Sequence, residues 1–424
     1  ISLDEPELRD DLIAVYGLDA GQPRDPVVVA NLIARHTYPG TGIHVAGDSE
    51  RGREMYSGRI VGISELPSEQ NRLSAGNEMH FFELRVAFPL RSLERSLAMT
   101  LTATCGEVLA YGGLRLLNLE LPRAYTRDFK GPKFGVEGLR NILGVRGRPF
   151  LLGICKPSVG ITPEQGAANF REAAIGGADI IKDDELLSDP HYSRRTKRVR
   201  LYLEAERQAF EATGEHTLYA VNITGEVNQL LANAVEAIDL GASALMLNYL
   251  QVGLDSTRLV CEDERVTVPV LGHNAGASSF YGAPGSGVSM SLINGRLPRL
   301  CGLDLCILLT QHGKFASSKR ECMRTADEMR RPFNGLRPML PVAAGGVVPG
   351  SVGMLYSEYG SDCALGSGGG IFGHPAGPRA GALAFRQAII AAIQGVDIRE
   401  ASSQSTELRL AVESWGPKKD DIAP

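Results

Sequence analysis

The sequence lacks any long apolar run, and no stretch reaches the roughly 20 residues that cross a bilayer. A membrane-spanning chain is therefore not expected. It also lacks an excess of basic charge. Its 44 Lys and Arg stand against 49 Asp and Glu, a formal net charge of −5, which leaves no electrostatic footprint for nucleic acid or an anionic membrane surface. Paired cysteines are missing too: there are seven, an odd number, with no CxxC spacing. Reduced thiols in a cytoplasmic protein are the expectation. The opening "ISLDEPELRDDL" is acidic and has none of the basic and apolar regions of a signal peptide. No low-complexity tract occurs. With 43% apolar and 22% charged residues, the chain is an ordinary globular sequence and not a disordered one.

What is present is length and glycine. The 424 residues exceed most single cores, so two domains are expected. Many of the 49 glycines follow short apolar runs. From residue 151 these runs are "LLGIC", "DIIKD", "TLYAVNI", "ALMLN", "VPVLGH", "LCILLT", "MLPVAA" and "CALGSG", starting 24 to 38 residues apart. That spacing fits a strand plus a helix. In the first interval, Thr162 is placed as N-cap, Pro163 at the first helical position and Gln165 three residues on. Eight such units close a (β/α)₈ barrel, so the fold class expected is α/β. Residues 1–130 read as an α+β, ferredoxin-like domain: "EMYSGRIVGISEL" and "EMHFFELRVAFPL" as strands, "DPVVVANLIARHT" as a helix. Residues 131–424 are assigned to the barrel and a C-terminal tail.

In such a barrel the chemistry sits where strands end. The first run ends in Cys155-Lys156-Pro157, the second in Lys182-Asp183-Asp184-Glu185, the fifth in Gly272-His273-Asn274. The sixth leads to Gln311-His312-Gly313-Lys314, and the last two end in Gly345-Gly346 and Gly368-Gly369-Gly370. Glycines after strands seven and eight let backbone N–H groups approach an anion. An isolated KDDE is most often a solvated turn. Six strand ends carrying such groups together are poorly explained by coincidence.

The segments "GICKPSVG", "GGADIIKDDE" and "LPVAAGGVVPG…ALGSGGGIFGHPAG" closely resemble the large subunit of RuBisCO, in order and spacing. The departures make the chain similar to the RuBisCO-like (form IV) branch. The resemblance implies that Lys182 takes up CO2 as a carbamate and joins Asp184 and Glu185 around one Mg²⁺, an all-oxygen set suited to a hard cation. Mg²⁺ would then polarise a substrate carbonyl and stabilise an enediolate. Strand alternation puts Lys182 and Asp184 on one face and turns Asp183 away. The resemblance further implies Lys156 as a proton-transfer group, His273 and Lys314 as catalytic, and Gly346, Gly368, Gly369 and Thr41 as phosphate contacts. The active site would be completed by the neighbour in a homodimer or larger assembly.

Against the family pattern, Ser158 replaces a lysine, Asn274 an arginine, Ile307 a histidine, Ala344 a serine and Gly42 a tryptophan. A family glutamate and asparagine fall near His36 and Glu107. With the second-phosphate groups gone, CO2 fixation is not expected. The expected reaction forms an enolate from a phosphorylated keto sugar or sugar acid. Decarboxylation of a 3-oxo sugar-acid phosphate, as in apionate breakdown, is preferred because Lys314 would sit where CO2 leaves. The alternatives are 2,3-diketo-5-methylthiopentyl-1-phosphate enolase of methionine salvage and methylthioribulose-phosphate isomerase. From other classes come a Schiff-base aldolase using Lys182 or Lys156 and a non-catalytic sugar-phosphate-binding protein.

Overall fold

The computed structural model describes residues 11–19, 25–66, 80–283, 285–312 and 317–417. The strands are β1 (Asp11–Asp19), β2 (Arg59–Leu66), β3 (Phe81–Pro89), β4 (Leu114–Glu120), β5 (Phe150–Ile154), β6 (Ile180–Lys182) and β7 (Leu218–Asn222). They continue with β8 (Ala244–Asn248), β9 (Val270–His273), β10 (Gly287–Val288), β11 (Leu305–Leu309), β12 (Leu340–Ala344) and β13 (Ala364–Ser367).

By packing, the chain divides into two compact units. The first runs to Lys130 and takes in Gly276–Leu297. Its sheet has the order β10-β4-β1-β3-β2, antiparallel except where β10 pairs parallel with β4. The helix expected over "DPVVVANLIARHT" spans Pro26–Arg35, with Asp25 capping the Val27 N–H. Residues 276–297 had been assigned to the barrel. They group with the first unit because β10 extends its sheet at β4.

The second unit is a closed parallel barrel in the order β11-β12-β13-β5-β6-β7-β8-β9; seven of its eight strands lie within the expected apolar runs, and β5 begins one residue before its run, at Phe150. These strands are buried on both faces, the reason they read as continuous apolar runs without alternation. The capping box predicted for the first helix is formed: Thr162 receives the Gln165 N–H and Gln165 receives the Thr162 N–H, at the start of Pro163–Ile175.

Period two fills the barrel and builds its mouth. Leu152, Ile180, Ala220, Met246, Leu271, Ile307 and Val342 pack in one interior cluster. Stepping on by two along each strand from these residues reaches Lys182 on β6, Asn222 on β7, Asn248 on β8 and His273 on β9. One alternation therefore puts apolar groups in the barrel and polar groups at its carboxyl end. Ile307 and Ala344, two of the departures above, are 2% exposed members of that interior cluster. All seven cysteines are free thiols, six of them buried. Among the described residues no helix is long and apolar enough to cross a membrane.

Candidate active site

Lys182 is fully buried. Its Nζ donates to the Asp183 carbonyl at 2.8 Å and lies 3.6 Å from Glu185 Oε2. Burial lowers the amine's pKa below the ordinary lysine value, against the pull of Glu185 and Asp184. Asp184 is also buried. Its Oδ2 accepts from Lys156 Nζ at 2.5 Å, and its Oδ1 accepts the Leu186 N–H at 3.1 Å. Burial would raise this carboxyl, but the Lys156 bond and the Leu186 N–H outweigh it and the net shift is downward.

Glu185 lies between two partners. Its Oε2 is 3.6 Å from Lys182 and 3.4 Å from His273 Nε2. His273 Nδ1 accepts the Ala275 N–H at 3.2 Å, which assigns the ring proton to Nε2, facing Glu185. Burial, with Lys182 adding to it, takes the imidazole well below its ordinary value and keeps it neutral.

Two asparagines that the sequence reading passed over hold this turn in place. Asn222 Nδ2 donates to the carbonyls of Asp184 and Glu185 at 3.2 and 3.3 Å, and Asn248 Nδ2 donates to Glu185 O at 3.1 Å. Their signal was in the sequence, because "TLYAVNI" and "ALMLN" place an Asn on the interior phase at the strand end. Asp183 turns outward as alternation requires. It accepts both arms of the Arg198 guanidinium at 3.0 Å, the Tyr219 hydroxyl at 2.9 Å and the Asn222 N–H at 3.0 Å.

Lys156 Nζ also donates to Ser158 Oγ at 2.8 Å. Its stem runs past Gly368, where an added Cβ would come within 2.9 Å of Lys156 Cε. At Gly368 the obstacle is the lysine, whereas around Gly369 nothing lies within 4 Å. Gly370 is a packing glycine, its added Cβ meeting Ser367 Oγ at 2.6 Å. Gly345 and Gly346 turn with φ of 95° and 78°, a conformation open to glycine.

The structure thus gathers Lys156, Lys182, Asp184, Glu185 and His273 at one barrel mouth, with Gly368 beside Lys156. Lys314 lies outside the described residues. Thr41 is an exposed residue of the first unit whose Oγ1 accepts the Ile43 N–H at 3.2 Å. In that unit His36 caps the helix Pro26–Arg35 through its backbone, and Glu107 opens a short 3₁₀ turn.

Among the described residues no three His, Cys, Asp or Glu side chains cluster as a metal site. Two carboxylates alone are a poor cage for a hard cation. The donor set suits one if Lys182, whose amine lies 3.6 Å from Glu185, becomes the third oxygen donor.

The family model for the ribulose bisphosphate carboxylase large chain, catalytic domain, matches residues 135–415. A ribulose bisphosphate carboxylase-like protein of Archaeoglobus fulgidus is 38% identical over 93% of this chain and 90% of its own. A 2,3-diketo-5-methylthiopentyl-1-phosphate enolase of Bacillus licheniformis is 34% identical over 86% of this chain and 88% of its own. Among solved structures, a RuBisCO-like protein (MtnW) from Alicyclobacillus acidocaldarius superposes with a TM-score of 0.87 at 34% identity, covering 96% of this chain and 100% of that one. The octameric RuBisCO of Pyrococcus horikoshii gives 0.88 at 31% identity, covering 99% and 96%.

Proposed function

Because the chain belongs to the RuBisCO large-chain family, as a RuBisCO-like protein, we propose that it is a Mg²⁺-dependent enzyme. In this reading it forms an enolate from a phosphorylated keto compound and does not fix CO2. The observation that carries the reading is the fully buried Lys182 amine 3.6 Å from Glu185, lowered in pKa by burial against the pull of Glu185 and Asp184. A lysine there is isolated from water and inclined to lose its proton, the condition for an amine to take up CO2 as a carbamate.

Charge balance supports the same reading. Lys156 and Lys182 face Asp184 and Glu185, two cations against two anions. Carbamate formation takes Lys182 from +1 to −1, and a divalent cation restores the difference. The mouth stays neutral in both states, which avoids the cost of uncompensated buried charge.

In this reading Lys182, Asp184 and Glu185 hold Mg²⁺, which when bound favours negative charge on a substrate carbonyl oxygen. Asn222 and Asn248 fix the carbonyls beside the two acids. Lys156, held by Ser158 and threaded past Gly368, is placed to move a proton at the carbon next to that carbonyl. Neutral His273 steadies Glu185. The phosphate lies at Gly346 and Gly369, where backbone N–H groups can reach it, and Thr41 of a neighbouring chain in a homodimer or larger assembly adds a hydroxyl.

The relatives' diketo phosphate is the substrate to test first. Decarboxylation of a 3-oxo sugar-acid phosphate rests on Lys314 and has no support from the relatives' names. Carboxylation is not proposed, because Asn274, Ile307 and Ala344 supply no charged group for a second phosphate. Exchange of solvent deuterium into 2,3-diketo-5-methylthiopentyl-1-phosphate and into 3-oxo sugar-acid phosphates, followed by NMR, tests the class. Exchange that needs Mg²⁺ and stops with chelator is expected for at least one substrate. Exchange unaffected by chelator, or a borohydride-trapped lysine adduct, would replace this reading with Schiff-base chemistry.

A further inference from the structure

The two carboxylates of the site are held in different ways. Glu185 has only the contacts of 3.4 and 3.6 Å to His273 and Lys182, beyond ordinary hydrogen-bond length. The Asp184 side chain is 1% exposed. Its Oδ1 accepts the Leu186 N–H at 3.1 Å and its Oδ2 accepts Lys156 Nζ at 2.5 Å. An ammonium that close repels a second cation at the same oxygen, so Asp184 can take on a metal only where a partner withdraws. The Leu186 N–H belongs to the turn that Asn222 and Asn248 hold by its carbonyls. The Lys156 side chain is 36% exposed and already has a second acceptor, Ser158 Oγ at 2.8 Å. Its stem is confined beside Gly368, so the ammonium can leave one oxygen for the other while the chain behind it stays in place.

We infer that Lys156 holds the cation's place at Asp184, and that Ser158 keeps the lysine when a divalent cation takes that oxygen. Lys156 is then a competitor of the metal as well as a proton-transfer group. Ser158 is a positioning residue that acts through Lys156, because a neutral hydroxyl accepts from the ammonium without drawing the metal away from the acids. The lysine is freed from Asp184 only in the metal-loaded protein, which couples loading of the site to the group that moves the proton. The inference rests on the reading above, in which Asp184 is a metal ligand.

Calorimetric titration of the protein with MgCl2 in bicarbonate buffer tests this without any substrate. Lys156→Met should bind Mg²⁺ roughly tenfold more tightly than wild type, since one hydrogen bond between charged groups no longer has to be broken. Ser158→Ala should bind it roughly tenfold more weakly, the scale of an outer-shell partner, because the displaced lysine has no acceptor waiting. In the Lys156→Met background, Ser158→Ala should change nothing. A serine that only supported the fold would weaken both backgrounds alike. Circular dichroism confirms that the variants fold. Affinity at or below wild type in Lys156→Met, or unchanged in Ser158→Ala, would overturn the inference. Lys182→Ala tests the reading separately. If it loses Mg²⁺ while the Lys156 and Ser158 variants match wild type, the reading stands and the inference falls. If the wild-type protein binds no Mg²⁺, the metal assignment fails and the inference with it.

Discussion

Adjacent residues of one short strand end in two different kinds of cluster. Outside the barrel wall, Asp183 meets Arg198, Tyr219 and the Asn222 N–H, and all of its acceptor directions are filled. Asp183 and Arg198 are both wholly buried. Inside, Lys182, Asp184, Glu185, Lys156 and His273 are paired at 2.5 to 3.6 Å, and Glu185 remains 29% exposed. The outer cluster is complete without a ligand. The inner one is looser, with Glu185 held only by contacts of 3.4 and 3.6 Å to His273 and Lys182. Burial is common to both, so burial does not identify the site. The difference lies in whether the hydrogen bonding is closed.

The largest effect should come from breaking the closed cluster. Asp183→Ala would leave the buried Arg198 charge without its carboxylate, with only neutral partners such as the Ser193 and Ser188 carbonyls, a loss of about 3–5 kcal/mol in unfolding free energy, read by denaturant titration. Metal affinity per folded molecule should change far less. A variant that kept its stability and lost its metal would reverse the roles assigned to the two clusters. In the open cluster the order inverts. Lys182→Ala should cost metal-dependent turnover more than the roughly 10–100-fold typical of an outer-shell partner, with little loss of stability because a buried amine's desolvation is removed with it. Full Mg²⁺-dependent activity in Lys182→Ala would rule out this residue as a ligand.

The sequence made the open cluster easier to see than the closed one. "DIIKDDE" displays Lys182, Asp184 and Glu185 within four positions, and alternation alone separates Asp183 from them. Arg198 and Tyr219, the partners of Asp183, lie 15 and 36 residues away on a helix and a neighbouring strand, where no local pattern marks them. The barrel was legible because parallel strands buried on both faces leave continuous apolar runs. Strands β1 and β4 belong to a sheet whose order, β10-β4-β1-β3-β2, takes its edge strand from beyond residue 276, and nothing local to residues 1–130 announces it. Asn222 and Asn248 were visible as letters but not as site residues, since a strand-end asparagine is usually turn chemistry.

The glycine turns sharpen the comparison at intermediate size. Gly369 has open space around it, so Gly369→Val should raise KM for a phosphorylated substrate by roughly tenfold, about one lost hydrogen bond to a charged group, with kcat and thermal stability near wild type. Gly368→Ala should act differently, because its Cβ displaces the Lys156 stem. There kcat should fall while KM holds. The same KM-type defect in both variants would show that Lys156 does not depend on Gly368 for its position. A dephosphorylated substrate turning over as well as the phosphorylated one would leave the glycines as packing alone.

The smallest effect separates the clusters by pH. His273 is buried and its pKa lies well below the ordinary value of 6.5, so the folded state stays neutral where the unfolded chain begins to bind a proton. A depressed pKa makes the unfolded state the stronger proton binder, so this contribution is intact above about pH 6.5 and is lost as pH falls toward the folded value. In the outer cluster Arg198 and Tyr219 are both shifted upward, away from that range. In metal-free protein, urea unfolding at pH 7.0 and 5.5 should show wild type losing more stability than His273→Gln, by up to about 1.4 kcal/mol per pH unit. Tyr219→Phe should run parallel to wild type. If His273→Gln also ran parallel, the acid sensitivity would belong elsewhere, and the imidazole would not be the neutral partner that Glu185 requires.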